Sequence, residues 1–183
     1  MAAPFDTVFV LCTGRCGSTT LARAAAHLPG WTAGHETRVR RLGADRLAYP
    51  ARHIEVDNRL AWMLGRLGTT WGDRAGYLHL TRDPEAVAES FAARAGQGIL
   101  RAYREGILYR APGAETLEVC RDYVATVTAN IEAFLATRAH VRRLRMEEMA
   151  TDFEDFADWI GAGPDRGAAR AALAQRHNAR GSQ

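Results

Sequence analysis

Two short stretches carry the residue types that could hold a phosphate. The first is Thr13-Gly14-Arg15-Cys16-Gly17-Ser18-Thr19-Thr20, which joins two glycines to an arginine and a closing run of three hydroxyls. Glycines permit the tight turn that aims successive backbone N–H groups into one hollow, and the positive end of a following helix completes an anion site. The second is Arg82-Asp83-Pro84, with Ser90 eight residues beyond the arginine. A planar guanidinium at a strand's end suits bidentate phosphate recognition, and Ser90, about two helical turns along, adds a hydroxyl donor. A plainer alternative stands beside each stretch. Ser18 is then an N-cap and Arg15 a solvated side chain, while Arg82 pairs with Asp83 or Glu85 and Ser90 bonds back within its own helix. A standard nucleotide triphosphatase loop needs G-x-x-x-x-G-K-[ST], whereas here two residues separate the glycines and Ser18 stands where the lysine belongs. The dinucleotide fingerprint G-x-G-x-x-G is incomplete as well.

The elements that must position these groups follow from the hydrophobic pattern. The unbroken apolar run Thr7–Cys12 predicts a parallel strand covered on both faces. A helix over Leu21–Leu28 follows and stops at Pro29-Gly30. The polar stretch Trp31–Tyr49, with Arg38, Arg40, Arg41 and Arg46, receives no regular element. A short strand is expected over Arg52–Val56, running into Asp57-Asn58. Leu60–Leu64 predicts the apolar side of a helix that ends near Gly65 or Gly68. Gly76–Leu80 predicts the third strand, followed by a helix from Pro84 or Glu85 that Asp83 could cap and that ends at Gly96-Gln97-Gly98.

Residues 99–113 predict a loop or short helix lined by Arg101, Arg104 and Arg110. Leu117, Cys120, Val124, Val127, Ile131, Phe134 and Leu135 recur at helical spacing and predict a long helix from about Glu115 to Thr137. His140–Met146 predicts a fourth strand, made edge-like by Arg142, Arg143 and Arg145. Two further helices are expected, one from Asp152 ending at Gly161 and one over Arg166–Gln175. Alternating strands and helices give the α/β class: three layers, with a mostly parallel central sheet and helices on both faces. Ligands in such sheets bind beyond the carboxyl ends of the strands, where both candidate stretches fall.

Composition narrows the function classes. The 183 residues are 47% hydrophobic, which fits a single globular domain over 1–183. A net charge of +3, from 24 basic and 21 acidic residues, is too small to predict nucleic-acid binding. Cys12, Cys16 and Cys120 form no disulfide framework, and neither they nor the six histidines have metal-ligand spacing. The apolar segments are too short to span a membrane and nothing resembles a signal peptide, so the expected location is the cytoplasm.

Taken together, the two stretches resemble the sulfotransferases that use 3′-phosphoadenosine-5′-phosphosulfate (PAPS), in particular their bacterial and carbohydrate-directed branches. Arg15-Cys16-Gly17-Ser18-Thr19-Thr20 is similar to the family's P-loop-like 5′-phosphosulfate loop, with Arg15 in the place of its basic residue. Arg82 and Ser90 resemble the 3′-phosphate motif, and Arg145-Met146-Glu147-Glu148-Met149 resembles the family's strand-end acidic element. The resemblance spans residues 5–161 and implies donor contacts from Arg15, Cys16, Gly17, Ser18, Thr19, Thr20, Arg82 and Ser90. It also implies 3′,5′-diphosphoadenosine as product, a hydroxylated small molecule or carbohydrate as acceptor, and no metal.

Sulfuryl transfer needs charge stabilisation, assigned to Arg15, and a base for the acceptor's proton. Glu36 is the preferred base, because a carboxylate beside a basic pocket stays charged; His35 is second and Asp57 third. A surface Glu36 paired with Arg38 or Arg40 is the plainer reading. Asn58 is expected to orient the acceptor, with Trp31, Trp62 and Tyr103 as candidate stacking surfaces. His79 is expected to pack under Arg82. The family's C-terminal glycine-rich loop over the adenosine phosphate is missing, with Arg166-Gly167 or Asn178-Ala179-Arg180 as possible substitutes. Two rivals remain: a noncanonical small-molecule kinase, and a noncatalytic binding protein on the same scaffold.

Overall fold

A computed structural model describes residues 3–94, 98–113 and 116–175. Five strands form one parallel sheet: β1 (Thr7–Leu11), β2 (Thr32–His35), β3 (His53–Val56), β4 (Ala75–Thr81) and β5 (Val141–Arg145), in the order β2-β3-β1-β4-β5. Thr7 is in register with His53 on one side and Ala75 on the other, so β1 is central. Its five residues are all buried, as the unbroken apolar run requires of a strand covered on both faces.

The helices divide between the faces as expected of three layers. Val8, Val10 and Cys12 point to one face, under α1 (Ser18–Ala25), α6 (Met149–Trp159) and α7 (Gly167–Ala174). Phe9 and Leu11 point to the other, under α2 (Leu64–Trp71), α3 (Pro84–Ala92), the short α4 (Gly98–Arg101) and the long α5 (Thr116–Leu135). The chain leaves β1 toward β2 and β3 but leaves β4 toward β5. The carboxyl ends of β1 and β4 therefore flank the crevice where strand order reverses, the preferred ligand position in an open α/β sheet.

Two expectations need correction. Trp31–Tyr49 is not without regular structure: Thr32–His35 is the edge strand β2, parallel to β3. Its four residues are small or polar and half-exposed or exposed, so no apolar run marked it. The Leu60–Leu64 segment does not end at Gly65 or Gly68. A 3₁₀ turn over Asn58–Trp62 leads into α2, which passes through both glycines and stops at Gly72 with φ 50°. The region after Gly98 takes the short-helix alternative, with α4 followed by a π-turn over Ala102–Ile107. The Gly96-Gln97 stop and the Glu115 start lie outside the described residues.

Local chemistry explains the other boundaries. Asp83 accepts the Ala86 N–H at 2.8 Å and so caps α3, whose first residue is Pro84, where no N–H is needed. Glu147, in the turn after β5, accepts the Asp83 N–H at 2.8 Å. The strand-end acidic element thus ties β5 to the start of α3. Among the described residues no helix is long and apolar enough to cross a membrane.

Gly76 on β4 faces the rings of Phe5 and Trp159, which a β-carbon there would meet at 2.7 and 2.8 Å. Overpacking of this kind forces buried rings out of their rotamers. Gly76→Ala is expected to destabilise the fold by roughly 1–3 kcal/mol, measured as a lower urea midpoint with unchanged slope.

Candidate functional site

The loop after β1 is built from left-handed residues. Gly14 has φ 86°, Arg15 59° and Gly17 84°. Glycine adopts this region freely, whereas an L-residue such as Arg15 costs roughly 1–2 kcal/mol there. That strain needs fixed partners, and the loop has them. The Thr13 carbonyl accepts from the Tyr123 hydroxyl of α5 at 2.9 Å, and the Arg15 carbonyl accepts from Nη1 of Arg82 at 3.1 Å. With both carbonyls held, the loop leads into α1, whose N-cap Gly17 has no side-chain cap and whose first turn carries no acid. Ser18, Thr19 and Thr20 open this helix and are half-buried. Uncapped N–H groups beside hydroxyls and a guanidinium are donors from which an anion can accept.

The structure brings the two predicted stretches together. Nε of Arg15 donates to Oγ of Ser90 at 3.1 Å, joining the β1 loop to the middle of α3. Arg82 bridges to the same loop rather than pairing with Asp83 or Glu85, and Glu85 is occupied by Arg121. Burial first, then the positive charges of Arg94 and Arg82, push the Arg15 guanidinium below its ordinary value. Cys16 is fully buried, so its backbone rather than its thiol is what it can offer a ligand. Its contact with Cys12, reinforced by burial, pushes the Cys12 thiol well above the ordinary range and keeps it protonated.

His35 and Glu36 sit at the end of β2, on the α1 side of the loop. His35 Nε2 lies 3.1 Å from Oγ of Ser18. Glu36 has φ 55° and pairs with Nη1 of Arg59 at 2.5 Å, not with Arg38 or Arg40. The turn that presents them is anchored by Glu55 of β3, fully buried, which accepts from the Thr37 N–H and hydroxyl at 2.7 Å each and meets His53 Nε2 at 3.0 Å. Neither Glu55 nor Arg59 stood out in the sequence. Arg59 follows a predicted strand end closely enough to have been considered, whereas nothing about a glutamate inside a buried strand marks it.

Other candidates prove to be structural. Asp57 is fully buried, with Nη2 of Arg46 at 2.5 Å and the Arg59 N–H at 2.8 Å. Burial pushes its carboxyl up against the pull of Arg46, and it has no open face from which to take an acceptor's proton. Asn58 approaches the Thr13 carbonyl at 3.5 Å and stands beneath Gly14. Trp31 and Tyr103 are core residues; Trp62, stacked toward Tyr123, is 37% exposed and can offer a surface. Arg166 does not serve a phosphate. It is buried on Asp158, Glu154 and the Ala162 and Gly163 carbonyls. Asn178-Ala179-Arg180 lies outside the described residues.

His79 bonds through Nδ1 to Glu132 of α5 at 2.6 Å, and that carboxylate also holds Arg143. Burial lowers the His79 pKa below its ordinary 6.5, against the pull of Glu132. The folded state therefore binds fewer protons here than the unfolded state, and this contribution to stability is present above pH 6.5 and lost as pH falls toward the folded value. Urea unfolding at stepped pH should show stability declining below that point, with the decline reduced in His79→Gln.

No family model matches this sequence, and no curated protein matches it. Solved structures do. One is a sulfotransferase domain from the curacin biosynthetic pathway, with a TM-score of 0.62 at 16% identity over 94% of this chain and 83% of that one. The likeness is one of architecture: the chain has the fold of a sulfotransferase domain.

Proposed function

We propose that this chain is a sulfotransferase that moves the sulfuryl group of PAPS to a hydroxyl of a small-molecule or carbohydrate acceptor. The observation that carries this reading is the Arg15–Ser90 bond with Arg82 on the same loop. It gathers the 5′-phosphosulfate stretch and the 3′-phosphate stretch at one strand-order reversal. The sulfotransferase fold supports it.

In this reading the N–H groups and hydroxyls of Gly17–Thr20 bind the 5′-phosphosulfate, while Arg82 and Ser90 bind the 3′-phosphate. The acceptor oxygen attacks sulfur in line and forms the new S–O bond. The bond from sulfur to the bridging oxygen breaks, and its electron pair leaves with 3′,5′-diphosphoadenosine. Arg15 stabilises the negative charge that grows on that leaving phosphate. The acceptor's proton needs a base at the loop. The geometry favours His35, whose Nε2 already meets Ser18 at the start of α1. Glu36 instead holds Arg59, so its carboxylate is already engaged in an ion pair. Glu36 then orients the β2 end and the acceptor side of the site.

Calorimetric titration with 3′,5′-diphosphoadenosine tests the donor site. Metal-independent binding is expected, weakened by roughly 2–3 kcal/mol in Arg82→Ala through loss of a charge-assisted contact. Binding of ATP with Mg²⁺ in its place would make the chain a kinase, and failure to bind either nucleotide would make it a noncatalytic scaffold. For the base, His35→Ala should lower turnover by about 10²–10⁴-fold with diphosphate affinity intact, and Glu36→Gln should lower it less. The reverse ranking would assign the proton to Glu36.

A further inference from the structure

Trp62 closes the 3₁₀ turn that follows β3, and at 37% exposure it is the most open of the four tryptophans. In the strand order β2-β3-β1, that turn stands between two parts of the site. On one side is the end of β2, with His35 and Glu36; on the other is the loop after β1. The indole is fastened on its core side. Tyr123 lies nearly parallel to it, with ring centroids 6.4 Å apart and planes at 29°, and Tyr103 approaches to 6.0 Å. The same Tyr123 donates its hydroxyl to the Thr13 carbonyl, so a single side chain separates the indole from the loop.

In a 3₁₀ turn, side chains three residues apart eclipse, which sets Arg59 and Trp62 along one side. Arg59 pairs with Glu36 at 2.5 Å, and both side chains stay partly exposed. A guanidinium only donates and a carboxylate only accepts, whereas an alcohol does both. Such a pair therefore matches two neighbouring hydroxyls, and an indole beside it matches the C–H face of a sugar ring. A phenol offers an aromatic face but no second hydroxyl for the pair. We propose that Trp62 is the platform on which the acceptor lies, and that the acceptor is a pyranoside. Its C–H face rests on the indole, and two adjacent hydroxyls engage Glu36 and Arg59. The proposal rests on the donor-site reading above and names the acceptor class which that reading leaves open.

The test is saturation-transfer NMR on the parent protein, Trp62→Ala, Trp62→Phe and Arg59→Ala, each mixed with 3′,5′-diphosphoadenosine and checked for fold by circular dichroism. The probes are the methyl pyranosides of glucose, galactose and mannose, with 4-nitrophenol in a parallel sample. The parent should saturate the carbon-bound ring protons of at least one pyranoside. Trp62→Ala should bind that sugar about tenfold more weakly, and Trp62→Phe should recover part of the loss. Arg59→Ala should weaken it as well, and diphosphate affinity should be unchanged in both Trp62 variants. If the parent binds the diphosphate but no pyranoside, or if Trp62→Ala keeps the parent's sugar signal, the donor site stands and the platform is overturned. Trp62 is then only the outer cover of the aromatic cluster. Contact with 4-nitrophenol in place of the sugars would also overturn it, by showing an aryl site. If the parent does not bind the diphosphate, the donor-site reading falls and the inference falls with it.

Discussion

The hydrogen bond from Arg82 to the Arg15 carbonyl is the constraint on which the site depends. A loop with left-handed backbone at Gly14, Arg15 and Gly17 does not hold itself, least of all through a residue that bears a β-carbon. Arg82 from the end of β4 and Tyr123 from α5 each take one of its carbonyls. Burial pushes the Tyr123 hydroxyl far above its ordinary value, so it remains a donor. The two strand ends and the long helix thus share the task of keeping one short turn in a costly conformation, with the uncapped start of α1 beside it.

The other side of the site depends on polar groups buried within β3. A parallel strand is usually apolar throughout, yet here His53 and Glu55 face one side of the sheet and Asp57 follows immediately. Glu55 fixes Thr37, and through it the turn that bears His35 and Glu36. Asp57 fixes Arg46, whose Nη1 also reaches the Tyr49 hydroxyl at 2.9 Å. Burial disfavours the Arg46 charge, but Asp57 and Tyr49 outweigh it and hold the guanidinium charged. Buried pairs of this kind add little net stability over an apolar core, but removing one partner is costly, so they hold a single arrangement of the segments they join.

What could be read from the sequence tracks where the physics is local. β1, β4, α3 with its Asp83 cap, and α5 follow from apolar runs and helical spacing, which are properties of adjacent residues. β2 did not, because Thr32–His35 is a strand only by virtue of its pairing with β3. The same division runs through the site. Arg15, Arg82 and Ser90 could be nominated by type and spacing, but that Arg15 meets Ser90 depends on how α3 packs beside β1. The partners of Glu36 and Asp57 lie elsewhere in the chain, and their selection of Arg59 and Arg46 is a matter of tertiary structure.

The central position of β1 bears on the order in which the molecule can assemble. Its neighbours are β3 and β4, and the register that joins Thr7 to Ala75 closes a long loop before any of its pairing energy is gained. Parallel sheets with such distant pairings fold slowly. During synthesis the apolar Val8–Leu11 run is made before the strands that flank it and stays uncovered until β3, and later β4, arrive. The turn after β1 therefore acquires its conformation only once Arg82 and Tyr123, both made after it, have docked.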